Sequence, residues 1–219
     1  MCHRKPLNSN SYHRMKAEEL ALLKRYFPEA SVAMVGEVYS QRRFKLHFKR
    51  PRNSKLGDFR PPRTQNGICT ITLNYDLNPY QMLITYVHEV AHYDVYQQYG
   101  LRQVQPHGTE WQQQFAALLQ PFMTDSIFPN DIRVALQKHL QHIKASSTAD
   151  QNLQRVLRQY DKNATAAVTV ESLPDGARFT LKNGLVFQKG EKQRTRYKCY
   201  CETNGRWYFV SALAEVQMM

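Results

Sequence analysis

The stretch Tyr86-Val87-His88-Glu89-Val90-Ala91-His92-Tyr93 constrains this chain more than any other. His88 and His92 are four apart, so on an α-helix their imidazoles lie on one face, one turn apart. Two ring nitrogens at that spacing can hold one Zn²⁺. Glu89 projects beside such a metal without being a ligand, where it could take a proton from a water there. The flanks predict a helix. Asn78 is the N-cap, Pro79 suits the first helical position, Gln81 completes a capping-box pattern, and Gly100 follows as a stop. Met82, Leu83, Tyr86, Val87, Val90, Ala91, Val95 and Tyr96 wrap it on more than one side, which predicts burial. An unpaired buried polar group costs roughly 2–7 kcal/mol, a penalty that a metal removes. A bare histidine pair at this spacing is also compatible with ordinary core or surface hydrogen bonding. The glutamate, the capped helix and the residues downstream favour zinc.

A tetrahedral catalytic site needs a third protein ligand and an open fourth position. Pro106-His107-Gly108-Thr109-Glu110-Trp111 offers two candidates. His107 opens a second predicted helix, Glu110 to Leu119, and an antiparallel return would bring it back near the middle of the first. Glu110 is the rival. The pattern with glycine three after the second histidine and a further histidine three later is excluded, because Val95 and Gln98 stand there.

HExxH, this gap and then HGxxW resemble the SprT-like metalloproteases, which include the eukaryotic Spartan DNA–protein crosslink proteases. The resemblance runs from Leu20 to Met123. It takes in Leu56-Gly57-Asp58-Phe59 and Ile68-Cys69-Thr70-Ile71-Thr72-Leu73-Asn74, similar to that family's β-region. It implies an α+β, zincin-like metalloprotease domain with a small β-sheet and the HExxH helix. It also implies Zn²⁺ on His88, His92 and His107, with Glu89 as catalytic glutamate, and so favours His107 over Glu110. Substrates would be proteins held on or crosslinked to DNA. Many such proteins end in a four-cysteine zinc ribbon. Here Cys2 and Cys69 are isolated and only Cys199 and Cys201 are close, so no second zinc site is expected.

The net charge of +12 favours polyanionic partners, nucleic acid first and an anionic membrane surface second. The charge is dense from Arg42 to Arg63. Phe44, Leu46 and Phe48 alternate with Lys45, His47 and Lys49, which predicts a half-buried strand with a basic outer face. Pro51 to Ser54 reads as a turn and Leu56 to Arg60 as a return strand. Such a face can be a solvated edge that deters aggregation. We favour phosphate contact by Arg42, Arg43, Lys45, Lys49, Arg50, Arg52 and Lys55. No run of about 18 apolar residues suggests a membrane helix. The N-terminus lacks a secretory core, so a cytoplasmic location without a membrane partner is expected. Four cysteines without an evident pairing scheme fit a reducing compartment.

Three segments are expected: a metalloprotease domain over 1–125, a helical extension and linker over 126–164, and a small all-β C-terminal module over 165–219. Met15 to Tyr26 reads as an amphipathic helix, and Val32 to Tyr39 as a short strand or a turn of helix. A helix runs from Asn130 or Asp131 to Ile143, its His139 and His142 at the surface. His3 and His13 are expected in solvent, Lys144 to Thr148 as linker, and Asp150 to Tyr160 as a helix. Short strands follow at Val168–Ser172, Arg178–Leu181, Leu185–Lys189, Thr195–Tyr200 and Arg206–Val210, with Asn-Gly hairpin signals at Asn183-Gly184 and Asn204-Gly205. Lys189, Lys192, Arg194, Arg196 and Lys198 interleave with Tyr197, Tyr200, Trp207 and Tyr208. That pattern fits an aromatic core under a basic face as well as a nucleic-acid or protein-docking surface. Cys199 and Cys201 share a strand face and read as packing. The sequence reading is a zinc endopeptidase with protein substrates and DNA as partner. The alternatives are a nucleic-acid-binding protein with a structural or inactive zinc site, and a general peptidase with incidental basicity. Tyr86, Tyr93 and Tyr96 stand unranked as oxyanion stabilisers.

Overall fold

In the computed structural model, residues 15–52, 55–64, 66–100, 103–143, 150–162 and 168–219 are described. His3, His13 and the expected linker at 144–148 lie outside them. The chain divides into two compact units between Leu153 and Gln154. The first is mixed α and β, and the second is built mainly of β-strands.

In the first unit, α1 (Ala17–Tyr26) and α2 (Val32–Ser40) precede a three-stranded sheet. Val32, Val35, Gly36 and Tyr39 are the buried positions of α2, a helical stripe that settles the strand-or-helix ambiguity of this short segment. The strands are β1 (Phe44–Lys49), β2 (Gly57–Arg60) and β3 (Cys69–Asn74), in the order β1-β3-β2. β1 runs parallel to β3 and β2 antiparallel to it, which leaves β1 and β2 as the two edges. As the alternation predicted, Phe44 is buried against Tyr39 and Tyr93, and Phe48 stacks on Tyr26 with centroids 4.3 Å apart. Lys45, His47 and Lys49 are exposed between them.

The long helix α3 (Pro79–Tyr99) packs against β2, β3 and the shorter α4 (Thr109–Leu119). The Asn78 side chain accepts a hydrogen bond from the Gln81 backbone N–H at 2.9 Å. The Gln81 amide in turn reaches forward to the Thr85 hydroxyl at 3.3 Å. On α4, Trp111, Phe115 and Leu119 form the buried stripe at i, i+4 and i+8. In α5 (Asn130–Gln141) the buried stripe is Ile132, Ala135, Leu136 and His139. The surface reading of His139 is therefore overturned. It lies seven residues after Ile132, on the apolar face, and its Nδ1 sits 3.0 Å from Asp150 Oδ2. The other Asp150 oxygen accepts from the Asn152 and Leu153 backbones at the start of α6 (Gln151–Arg158). His142 is exposed.

The second unit holds one sheet made of β4 (Arg178–Thr180), β5 (Val186–Gln188), β6 (Lys192–Gln193), β7 (Arg196–Cys201), β8 (Arg206–Ser211) and β9 (Gln217–Met218). The order is β6-β7-β5-β4-β9, with β8 paired to β7. Val170, Phe179, Phe187, Tyr197, Cys199, Cys201 and Val210 fill its core, so the two cysteines do pack. Gly184 and Gly205 take positive φ at the two Asn-Gly turns. The expected strand at Val168–Ser172 is not formed. Thr169 makes an isolated bridge to Glu215, and Val170–Ser172 is a 3₁₀ turn closed by Thr169 N–H donating to the Ser172 hydroxyl at 3.1 Å. Two-residue β6 and β9 were too short to read from sequence.

Candidate metal centre

His88 and His92 sit one turn apart on α3, and His107 sits just before α4. The antiparallel return of α4 onto α3 brings the three together. The Nε2 atoms of His92 and His107 are 2.9 Å apart, and His88 Nε2 is 3.2 Å from each of them. Among the described residues these three form the one group of His, Cys, Asp and Glu that could hold a metal ion, so Glu110 stands outside it. His107 reaches its place with φ +60, a left-handed conformation that few residues other than glycine adopt.

The donor set fits a metal. Burial lowers the pKa of all three imidazoles: His88 goes well below its ordinary value and His92 to about 4, each pushed further by a histidine neighbour, while burial alone acts on His107. At neutral pH the rings are therefore uncharged, and each can present a lone pair at Nε2. A proton shared within the cluster can bridge one edge of the triangle, whereas a cation accepts all three lone pairs. Tetrahedral Zn²⁺ with bonds of about 2.0–2.1 Å spaces its nitrogens roughly 3.3 Å apart, close to the observed separations.

Trp111 forms the floor of the cluster. Its ring lies 4.6, 5.3 and 4.7 Å from those of His88, His92 and His107 and stacks on Phe115. Its indole N–H points to the His88 carbonyl at 3.4 Å, and the Gln112 side chain donates to the His107 carbonyl at 3.0 Å. Sequence reasoning counted Trp111 only as part of a motif and missed Gln112, although both follow His107 within one helical turn of each other.

Glu89 is 5% exposed and points away from solvent toward β2. Burial raises its carboxyl to about 8, and the negative Asp58 adds to this. The Phe59 backbone N–H, Lys55 and Arg52 pull the other way.

Asp94 ties the scaffold together. It accepts two hydrogen bonds at 2.8 Å from the Arg42 guanidinium and one at 2.7 Å from Gln114 of α4. Arg42 is thereby committed to the interior of the first unit, apart from the other basic residues read as phosphate contacts. Arg43, Lys45, Lys49 and Arg50 are exposed. Arg52, Lys55 and Arg60 surround Asp58, with Lys55 Nζ 2.7 Å and Arg60 Nε 2.6 Å from its oxygens. Burial pushes the Asp58 carboxyl up, but the hydrogen bonds from Lys55 and Arg60 outweigh it and hold the pKa below its ordinary value. The Tyr86 hydroxyl is turned to the Val35 carbonyl at 3.4 Å, and that of Tyr93 accepts from the Arg43 backbone at 3.1 Å. Tyr96 packs on Phe59. No helix among the described residues is long and apolar enough to cross a membrane.

Residues 23–129 match the SprT-like family. Neither the curated proteins nor the solved structures contain a match to the chain.

Proposed function

We propose, on the premise that residues 23–129 are a SprT-like domain, that this chain is a zinc-dependent endopeptidase with a zincin-like catalytic unit, acting on proteins held on DNA. The observation that carries the reading is the convergence of three neutral imidazoles with a buried glutamate next in sequence to one of them. His88, His92 and His107 would hold the metal through Nε2, each keeping its proton on Nδ1. Zn²⁺, when bound, supplies Lewis acidity to the scissile carbonyl and to the attacking water. Glu89 takes the proton of that water on its carboxylate and returns it to the leaving amine. Burial raises this carboxyl in the metal-free chain; a cation on the neighbouring histidines would favour its ionised form, the one that accepts the proton.

The DNA part of the proposal rests on charge. Lys45, Lys49 and Arg50 are exposed on and just beyond one edge of the first unit's sheet. In the second unit, Trp207 and Phe209 are 59% and 60% exposed on β8. They lie opposite Tyr200 and Lys198 of β7, and the Lys198 ammonium stands 5.0 Å over the Trp207 ring. Cations interleaved with exposed rings suit a single strand, with phosphates on the cations and bases on the rings. A cytoplasmic location belongs to the same proposal, in keeping with free thiols at Cys69, Cys199 and Cys201.

The test is a cleavage assay on a DNA-binding protein, with and without single- and double-stranded DNA, using zinc-loaded wild type and Glu89→Gln. The expected result is one bound zinc in both proteins and DNA-stimulated cleavage in the wild type alone. Cleavage that survives in Glu89→Gln would remove Glu89 from the mechanism. Cleavage indifferent to DNA and to salt near 0.2 M would leave a general peptidase, because phosphate-driven binding weakens steeply at that salt.

A further inference from the structure

Gly57 opens β2, an edge strand that packs against α3. Its φ is not in the left-handed region, so the backbone there does not call for glycine. Space does. A methyl carbon added at Gly57 would stand 2.6 Å from Glu89 Oε1, 2.8 Å from Glu89 Cγ and 2.8 Å from Thr85 Cγ2. These distances are shorter than real Cβ contacts, and the groups they meet are packed: Glu89 and Thr85 are both about 5% exposed. The missing side chain is thus the room in which the Glu89 carboxylate sits.

Two residues along the same strand, the Phe59 backbone N–H acts on that carboxylate and favours its ionised form. The ladder explains why this N–H is available. In an antiparallel pair, alternate residues of a strand turn their N–H and C=O toward the partner and the ones between turn them away. Leu56, just before β2, accepts from the N–H of Asn74, the last residue of β3, at 2.9 Å, which sets the inward phase on Leu56, Asp58 and Arg60. Gly57 and Phe59 therefore present their backbone groups to the free edge of the sheet, with Glu89 beside Gly57.

We propose that Gly57 and the Phe59 amide form a positioning device for Glu89: the strand admits the carboxylate where a side chain is missing and fixes it with one backbone hydrogen bond. Gly57 is a positioning residue, because it acts through Glu89. The inference rests on the endopeptidase reading for its consequence in catalysis, but the hydrogen bond itself does not depend on that reading. A backbone donor fixed by a sheet orients the carboxylate more tightly than a mobile side chain could, since the strand gives it no rotamer freedom. Displacement by a fraction of the methyl's diameter matters, because a misplacement of about 1 Å at a reacting group can cost about 10²-fold in rate.

The test reads the Phe59 amide directly, by proton–nitrogen NMR of protein labelled at phenylalanine, zinc-loaded and metal-free, with Phe59→Leu assigning the peak. In the wild type the amide proton is expected downfield and slow to exchange for an edge-strand N–H. In Glu89→Ala it should move upfield and exchange faster, and Glu89→Gln should fall between. Gly57→Ala should reproduce the Glu89→Ala amide, keep one bound zinc, and lower kcat by about 10²-fold with KM little changed. An amide indifferent to Glu89→Ala would overturn the proposal without touching the endopeptidase reading. So would a Gly57→Ala protein that keeps the wild-type amide, or one that loses zinc together with activity, since Gly57 would then be a packing residue. The Glu89→Ala arm leaves Gly57 in place and keeps the hydrogen bond testable even where Gly57→Ala folds poorly.

Discussion

Trp111 bears on all three histidines at once, and its loss would be felt at the cluster before it is felt in the fold. Trp111→Phe keeps a ring over the cluster but removes the N–H that points to the His88 carbonyl. Groups that orient ligands typically account for about 10–100-fold in metal affinity, and we expect zinc to bind more weakly by a factor in that range, measured by competition with a chromophoric chelator. Arg42 makes the opposite case, a residue whose charge suggested one role and whose contacts give another. Its side chain is 15% exposed and doubly bonded to Asp94. Arg42→Ala strands that carboxylate and should cost about 2 kcal/mol of stability by denaturant titration. It should leave the salt dependence of DNA binding unchanged, whereas Lys45→Ala should reduce the slope of log K against log salt by about 1. The histidine pair and Glu89 were legible because one helical turn brings them together. Asp94, 52 positions after Arg42, was not, because nothing local announces a pairing across that distance.

Among the elements, β1 and α3 followed from pattern alone. A six-residue alternation and a 21-residue capped helix each carry enough repeats to fix a face. α2 was ambiguous because nine residues offer only about two and a half turns, and Val32 to Ser40 holds β-branched residues that also suit a strand. His139 was misplaced because a polar residue on an amphipathic stripe reads as its edge, and Asp150, which satisfies it, stands just ahead of another helix. β8 shows how far alternation resolves a mixed aromatic and basic segment. Tyr197 is in the core, whereas Trp207 and Phe209 are open to solvent together with the cation of Lys198. The chain has two tryptophans, and Trp111 is 1% exposed, so quenching of tryptophan emission reports on Trp207. A short oligothymidylate should quench it, and Phe209→Ala should weaken the interaction by about 1–3 kcal/mol, the scale of one base–aromatic stack. Unchanged emission at low salt would take β8 out of the DNA proposal.

For the molecule as a whole, the division between Leu153 and Gln154 puts the metal cluster wholly in one unit and the β8 surface in the other. A single unfolding temperature is then a poor description, and a metal ion on the histidine cluster would stabilise through the first unit. The second unit carries its own acid sensitivity. The Arg155 guanidinium hydrogen-bonds Glu171 and holds its carboxyl below the ordinary 4.5, with burial opposing. A carboxyl lowered on folding stabilises above its unfolded pKa, and that contribution is lost as pH falls through the folded value. Stability followed through Trp207 should therefore decline below about pH 4.5, and Arg155→Gln should flatten that part of the curve.

His88 and His92 come from one helix, but His107 arrives fifteen positions further along, with its backbone turned to φ +60. A cation held by all three would therefore act as a clasp. It closes a ring of chain between α3 and the start of α4, and a cross-link around a ring of that size is worth about 3 kcal/mol in chain entropy. Occupancy of the centre and the docking of α4 become one equilibrium. Whatever strips the metal from the chain loosens the turn that carries the third ligand, and whatever seats that turn prepares the chain to take the metal.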